Sequence, residues 1–378
     1  MALQSSGGNP PTNSISFSQI ENEFGQNSER SLGDYRMNNL NIGALTEVSL
    51  DRDGCGINAN SDIPVDNQEI KFSDFYNSRL NVIINCHTSN QNRINAKNDK
   101  YNKSNPSGNY NVVGPGSKPS NTSGKKIIIH VNKQIGSNAE AINRCALRTG
   151  TWNAGTDLRV EVANNGIISG AGGDGGEGGG NEDANGSPGE NGSSGLGIQY
   201  TGGTTIITTE GNGRSQGGGG GGGGGGSAYG KTERSPKPTI RAEGGGGGGG
   251  AGIPFGVGAA GGQGGGAGSK SPNHKGENGS ATSGGSGGSG SERDQGGEGN
   301  NTQGGNGGKG GNLASSGNGG ASGQAGGGEW EWGPVTYGGS GGGSGGAGIR
   351  RVSGAPAPNT SGATESNIIG SKTASGVS

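Results

Sequence analysis

Ten consecutive glycines fill positions 217–226 and seven more fill 244–250. A run without side chains cannot contribute to a hydrophobic core, so these stretches either stay open or pack through their backbone. The glycines are also concentrated: of the 95 in 378 residues, 77 fall within 166–350, 14 within 1–165 and 4 within 351–378. Hydrophobic residues make up 24%, about half the usual share. That excludes a single large α/β or all-helical enzyme fold. Collagen is excluded too, because glycine falls short of one residue in three and the 14 prolines are too few.

Outside the two pure runs the glycines keep a period of three. Gly172-Gly173-Asp174-Gly175-Gly176-Glu177, Gly284-Gly285-Ser286-Gly287-Gly288-Ser289 and Gly304-Gly305-Asn306-Gly307-Gly308-Lys309 all read Gly-Gly-x. Three residues per turn is the repeat of a left-handed polyproline-II-type helix, which has no internal hydrogen bonds. Gly-Gly-x then puts every side chain on one edge and leaves two edges of bare backbone for neighbours. The polar x residues suit a wet outer edge. The two pure runs, bare on all edges, are expected inside a bundle, the longer one spanning about 31 Å. Further segments of this kind are expected near 258–268, 317–328 and 338–348. The competing reading is a flexible linker, since ordering glycine costs roughly 1–2 kcal/mol per residue or more. Blocks of similar length, separated by loops with aromatics and prolines, favour order.

The first 165 residues read differently. Ser18 and Glu21 have the spacing of a helix-capping box, with Ile20 and Phe24 on one face and Gly25 placed to end the helix. A similar short element follows at Ile70–Tyr76. Residues 88–124 are rich in Asn, Ser and Lys and carry few strand or helix signals. Strands are expected at 126–131, 158–162, 166–170 and 204–209 from their β-branched, alternating residues. The expected fold class is therefore mostly irregular and β: a small N-terminal docking module, a short β-strand module, then a polyglycine-II helix sandwich. The divisions are 1–87, a polar connector at 88–125, the β module at 126–210, the sandwich at 211–350 and a tail at 351–378.

Chemistry is sparse. A net charge of −2 creates no field for nucleic acid or an anionic membrane. Cys55, Cys86 and Cys145 form neither a disulfide framework nor a zinc pattern. No secretory signal and no membrane span is read. His87, His130 and His274 stand far apart in the chain, and no catalytic or metal constellation emerges. No enzyme activity, metal or cofactor is expected. The Gly-x-Gly-x-x-Gly matches follow from composition alone. The loops between glycine blocks are the better candidates for recognition. They carry Tyr229, Lys231, Arg234, Lys237 and Arg241 at 227–243, His274 and Lys275 at 269–283, and Trp330, Trp332 and Tyr337 at 329–337. Such residues are enriched at contact hot spots. The tryptophans equally suit a cap over bare backbone, and the basic loop equally suits a solvated tip.

The segments Met1–Gly7, Ile15-Ser16-Phe17-Ser18-Gln19-Ile20, Ser31-Leu32-Gly33-Asp34-Tyr35 and Ile70-Lys71-Phe72-Ser73-Asp74-Phe75-Tyr76 resemble the N-terminal module of tailed-phage virion proteins, common in phages of cyanobacteria. Ala146–Thr156 followed by Asn164–Gly173 is similar to the strand-to-glycine entry of phage tail tip proteins. The glycine region resembles the polyglycine-II sandwich of T-even-type tail-fibre adhesins. The resemblance implies a virion location, in the tail, with other tail or baseplate proteins and a host surface receptor, protein or glycan, as partners. It also implies a homo-oligomer, for instance a trimer. Phe17, Ile20, Phe24, Tyr35, Phe72, Phe75 and Tyr76 would dock to the virion, and the loop residues named above would meet the receptor. A non-adhesive baseplate, neck or capsid decoration protein is the alternative. A Gly-Gly-x ice-binding protein is a weaker one, because Asp174, Glu177 and Lys309 break a flat face.

Overall fold

A computed structural model describes residues 14–24, 31–35, 68–75, 81–88, 91–105, 108–113, 118–138, 141–180, 185–208, 213–232, 239–254, 256–257, 274–294, 301–326, 330–360, 365–372 and 374–378. Among these residues the chain is mostly strand and irregular backbone, with only short helices. Its centre is a solenoid in which each coil visits three sheets in turn. The first coil is β1 (Asn81–Cys86), β2 (Gln91–Asn92) and β3 (Ile94–Asn95). β4 (Tyr110–Val113) folds back antiparallel onto β1. The second coil is β5 (Lys126–Val131), β6 (Gln134–Gly136) and β7 (Cys145–Arg148), and the third is β8 (Asp157–Val162), β9 (Ile167–Ser169) and β10 (Ser194–Ile198). The fourth begins with β11 (Thr204–Thr208) and β12 (Arg214–Gln216). The chain then leaves for the glycine region, whose strands are β13 (Ala228–Thr232), β14 (Thr239–Ala242), β15 (Glu292–Asp294), β16 (Asn301–Gln303), β17 (Gln324–Ala325) and β18 (Trp330–Thr336). It returns as β19 (Ile349–Arg351) and closes with β20 (Ile368–Ile369) and β21 (Ala374–Ser375).

Parallel in-register pairing stacks like on like. Ile84, Ile129, Val160 and Ile206 form one inward column, and Ile94, Leu147, Leu196 and Ile349 form another. These columns make the buried core, which β-branched residues fill well because they fit a pleated surface. The strands expected at 126–131, 158–162, 166–170 and 204–209 are present as β5, β8, β9 and β11. Residues 88–124 depart from the expectation. They hold β2, β3, β4 and a π-helical turn, Ala96–Tyr101, whose Asn95 side chain accepts from the Asn98 N–H (3.0 Å). Two-residue strands carry no periodicity to read, so a solenoid corner rich in Asn looks like a linker.

Cys86 and Cys145 are buried free thiols. Burial pushes each up to about 12 from 9.0, and burial likewise pushes Tyr101 up to about 12 from 10.0. The folded chain therefore holds protons that the unfolded chain releases above pH 9 to 10. Stability from these groups is intact below that range and falls as pH rises towards 12. The expected result is a Tm that is flat near neutrality and drops steadily from pH 9 upward. Both thiols should also resist thiol reagents at pH 8 until the protein unfolds.

The glycine region grows from the corner between the second and third sheets. Segments 170–179 and 185–193 leave and return within the third coil, and 217–348 does so within the fourth. Successive residues of 217–226 bond different neighbours. The N–H groups of Gly218, Gly221 and Gly224 donate to Ser193, Glu190 and Ser187; those of Gly219, Gly222 and Gly225 to Ala251, Gly248 and Gly245; those of Gly220, Gly223 and Gly226 to Ser315, Asn318 and Ala321. Its carbonyls accept from three more segments, through Gly173, Gly176 and Gly179, through Gly311, Gly308 and Gly305, and through Gly346, Gly343 and Ser340. Six rods thus surround this one at a strict three-residue repeat. Segment 244–251 is a second such centre, bonded to 170–179, 217–226, 274–280, 283–291, 304–312 and Gly256.

All three edges of the central rod face backbone. A Cβ on Gly221 would overlap the Asp174 carbonyl, on Gly222 the Gly308 carbonyl and on Gly223 the Ser340 carbonyl. Every N–H from Gly217 to Gly226 finds a carbonyl acceptor, which offsets the entropy cost of ordering glycine. At the surface, where a rod lacks a neighbour, the x side chains take over. Asn185, Asn191 and Asn306 accept from Gly338 (2.8 Å), Ser344 (2.7 Å) and Gly290 (2.9 Å), and Asp174 accepts from Val257 (2.6 Å). The x residues are outward, as expected, but many are hydrogen-bonding covers for exposed N–H groups. Within 269–283, read as a loop, residues 274–280 run as a rod. The segment at 258–268 lies outside the described residues.

At the N-terminus, helix α1 (Phe17–Phe24) is capped two residues earlier than expected. The box is Ser16 and Gln19: the Ser16 N–H donates to Gln19 Oε1 (2.8 Å) and the Gln19 N–H to Ser16 Oγ (3.3 Å). Ser18 and Glu21 fit the same spacing, but the earlier start buries Ile15 and Ile20 together. The same turn recurs at Leu32–Tyr35 and Phe72–Phe75, where Asp34 and Asp74 accept from the N–H groups of Ser31 and Lys71 (2.7 Å each). Gly25 lies outside the described residues.

Candidate functional site

The rods alternate in direction, so their ends fall into two groups. Gly170, Ser193, Gly217 and Gly348 join the solenoid. The opposite end carries two small sheets. One has the order β14-β13-β18 and the other β15-β16-β17, all antiparallel, and the two pack against each other. Each forms where a glycine rod gives way to residues with side chains.

Five of the expected contact residues converge here. Tyr229 and Lys231 lie on β13, and Trp330 and Trp332 on β18. Tyr337 opens the rod that follows. Tyr229 and Tyr337 stack with centroids 6.0 Å apart and planes at 12°. Lys231 Nζ meets Glu331 Oε2 at 2.9 Å, both side chains about one-third exposed. Lys231 stands opposite Trp332 in the ladder, and Thr232 opposite Trp330. Trp330 lies over Gly230, where a Cβ would collide with the indole ring, and its Nε1–H donates to the Gly326 carbonyl (3.3 Å). Gly230 is therefore the seat of Trp330, and part of this aromatic cluster is internal support for the tip.

His274 is corrected by the structure. It is buried, and its Nδ1–H donates to the Ser289 carbonyl (2.6 Å), so it braces two rods and is not a surface contact. Its neighbour Lys275 is exposed. Arg234 and Lys237 lie outside the described residues. Arg241, expected in the same basic loop, lies on β14 opposite Tyr229 and joins the tip.

The sequence matches no family model, no curated protein and no solved structure. The geometry thus stands alone.

The expected docking residues divide in two. Ile20, Tyr35 and Phe75 are fully buried and form the core of the three turns. Tyr35 meets Phe17 and Phe75 edge-on, each at 6.1 Å between centroids. Phe72 is 41% exposed and contacts the half-buried Phe17 at 6.5 Å, so among the described residues these two rings reach the surface. Phe24 ends α1, and Tyr76 lies outside the described residues.

Sequence reading also kept the histidines apart. Parallel pairing of β1 with β5 brings His87 Nε2 to 2.7 Å from His130 Nδ1. His130 stands beside Glu161 in the ladder, and Glu161 meets Arg159 at 3.6 Å. This row lies on the covered outer face of the first sheet. No group of three metal-ligating side chains occurs among the described residues.

Proposed function

We propose that the chain is a phage tail structural protein without enzymatic activity, in which residues 1–87 attach to the virion and a polyglycine-II sandwich carries a contact tip towards the host surface. The observation that supports this most is the placement of Tyr229, Lys231, Arg241, Trp330, Trp332 and Tyr337 at the bundle end remote from the solenoid. A stiff post with Tyr229, Lys231, Arg241, Trp330 and Tyr337 at one end suits recognition, because loops on a stiff scaffold need little ordering on contact. The three capped turns, with Phe17 and Phe72 at the surface, suit attachment.

Two experiments test the reading. Antibody fragments against the β13–β14 and β15–β16 hairpins, imaged on particles by electron microscopy, should decorate the tail tip. Decoration of the head or neck, or no decoration of intact particles, supports the non-adhesive virion reading instead. The ice-binding reading draws on one observation: Ser283, Ser286 and Ser289 are exposed at a regular repeat beside Asn306, Lys309 and Asn312. Thermal hysteresis in a solution of the purified chain would decide for it.

A further inference from the structure

We propose that Arg93, Arg144 and Arg148 form a binding site for a phosphate or sulfate group on the solenoid, beside the base of the glycine bundle. Arg93 occupies the corner between β2 and β3 in the left-handed region, at φ 50°, a conformation that favours Gly or Asn. Arg148 ends β7 and pairs in register with Asn95. Its Nη2–H donates to the Arg93 carbonyl (3.3 Å), which fixes the two residues side by side. Arg144 lies just ahead of β7. The bundle base touches the same coil, where the Ser137 N–H donates to the Ile253 carbonyl (3.0 Å).

None of the three arginines takes part in an ion pair among the described residues. The Nε atoms of Arg93 and Arg148 are buried without a hydrogen-bond partner, an arrangement that costs free energy if left unfilled. Burial, and then Arg144 and Arg148 beside it, hold Arg93 below its ordinary value. The one group acting in the opposite sense is Cys145, whose thiol is pushed up to about 12 and carries no charge at neutral pH. Arg350, on the same sheet, is already engaged by Ser194 Oγ (2.9 Å) and the Ser375 carbonyl. Three guanidinium groups, with two buried Nε donors unused, match a tetrahedral dianion, which accepts several charge-assisted bonds at once. A monovalent ion neutralises less of the charge, so chloride and acetate should bind weakly.

The test uses the full chain at pH 7.5 and constant ionic strength. Inorganic phosphate and sulfate, titrated by calorimetry and by thermal unfolding, should bind with one-to-one stoichiometry and raise the Tm, whereas chloride and acetate should not. Arg93→Gln with Arg148→Gln should abolish the response. Arg144→Gln alone, on a partly exposed side chain, should weaken binding about tenfold and serves if the double variant fails to fold. Phenyl phosphate, titrated in parallel, separates a site for the free ion from one that takes a phosphate ester: a response equal to or stronger than that of phosphate assigns the ester, and a lost response the free ion. No response in the parent chain, or one that survives in the variants, overturns the proposal.

Discussion

Gly221→Ala should destabilise the protein by more than about 4 kcal/mol, enough to prevent recovery of folded chain. The added methyl would enter the Asp174 carbonyl of the neighbouring rod, and the rod cannot retreat because the Gly221 N–H is held by Glu190 and its carbonyl by Gly343. The neighbouring atom is backbone, so no side chain can swing aside. Gly341→Ala is the matched control. A Cβ there meets nothing within 4 Å, and the residue is exposed. It should be neutral or stabilise by about 0.4–1 kcal/mol through the unfolded chain. Chemical denaturation of the two variants measures the contrast. Equal stabilities would show that the rods are not packed against each other.

The second large effect is expected at the tip. Lys231→Ala combined with Trp332→Ala should reduce binding of the purified chain to host cells at least about 30-fold, the loss of roughly 2 kcal/mol typical of a contact hot spot. The Tm should hardly move, because these positions lie beyond the bundle and outside the solenoid core. Trp330→Ala is a different case. Its ring covers Gly230, so its loss should loosen the β13–β18 pair as well as weaken binding. Cell binding that is unchanged in the Lys231 and Trp332 double variant would remove the tip from the contact surface.

Much of the bundle is legible from residues because it depends on what is missing. The runs at 217–226 and 244–250 have no side chain on any edge, and they are the two segments ringed by hydrogen-bonded neighbours. The solenoid is harder to read. β2 and β3 have two residues each, and β19 pairs with β10 although the excursion 217–348 lies between β12 and β19. No sequence repeat survives such an insertion. β1 carried a readable signal, the run Val82-Ile83-Ile84, of the same kind as Ile127-Ile128-Ile129 in β5. The contact of His87 with His130 was beyond reach, since it depends on parallel register between two strands separated by the β2–β4 excursion. At the tip, residue type pointed to Tyr229, Lys231 and Trp330, but it could not separate His274, which is used internally, from Arg241, which is placed among them.

The central claim is that the glycine region is an ordered, backbone-bonded post. Hydrogen exchange of the amides of 217–226 tests it most directly. Each of Gly218 to Gly226 donates to a carbonyl of a neighbouring rod and is buried, so these amides should exchange as slowly as those of β5 and β8, over hours or longer at neutral pH. Exchange of the whole run within seconds, at the rate of an open glycine linker, would contradict the account.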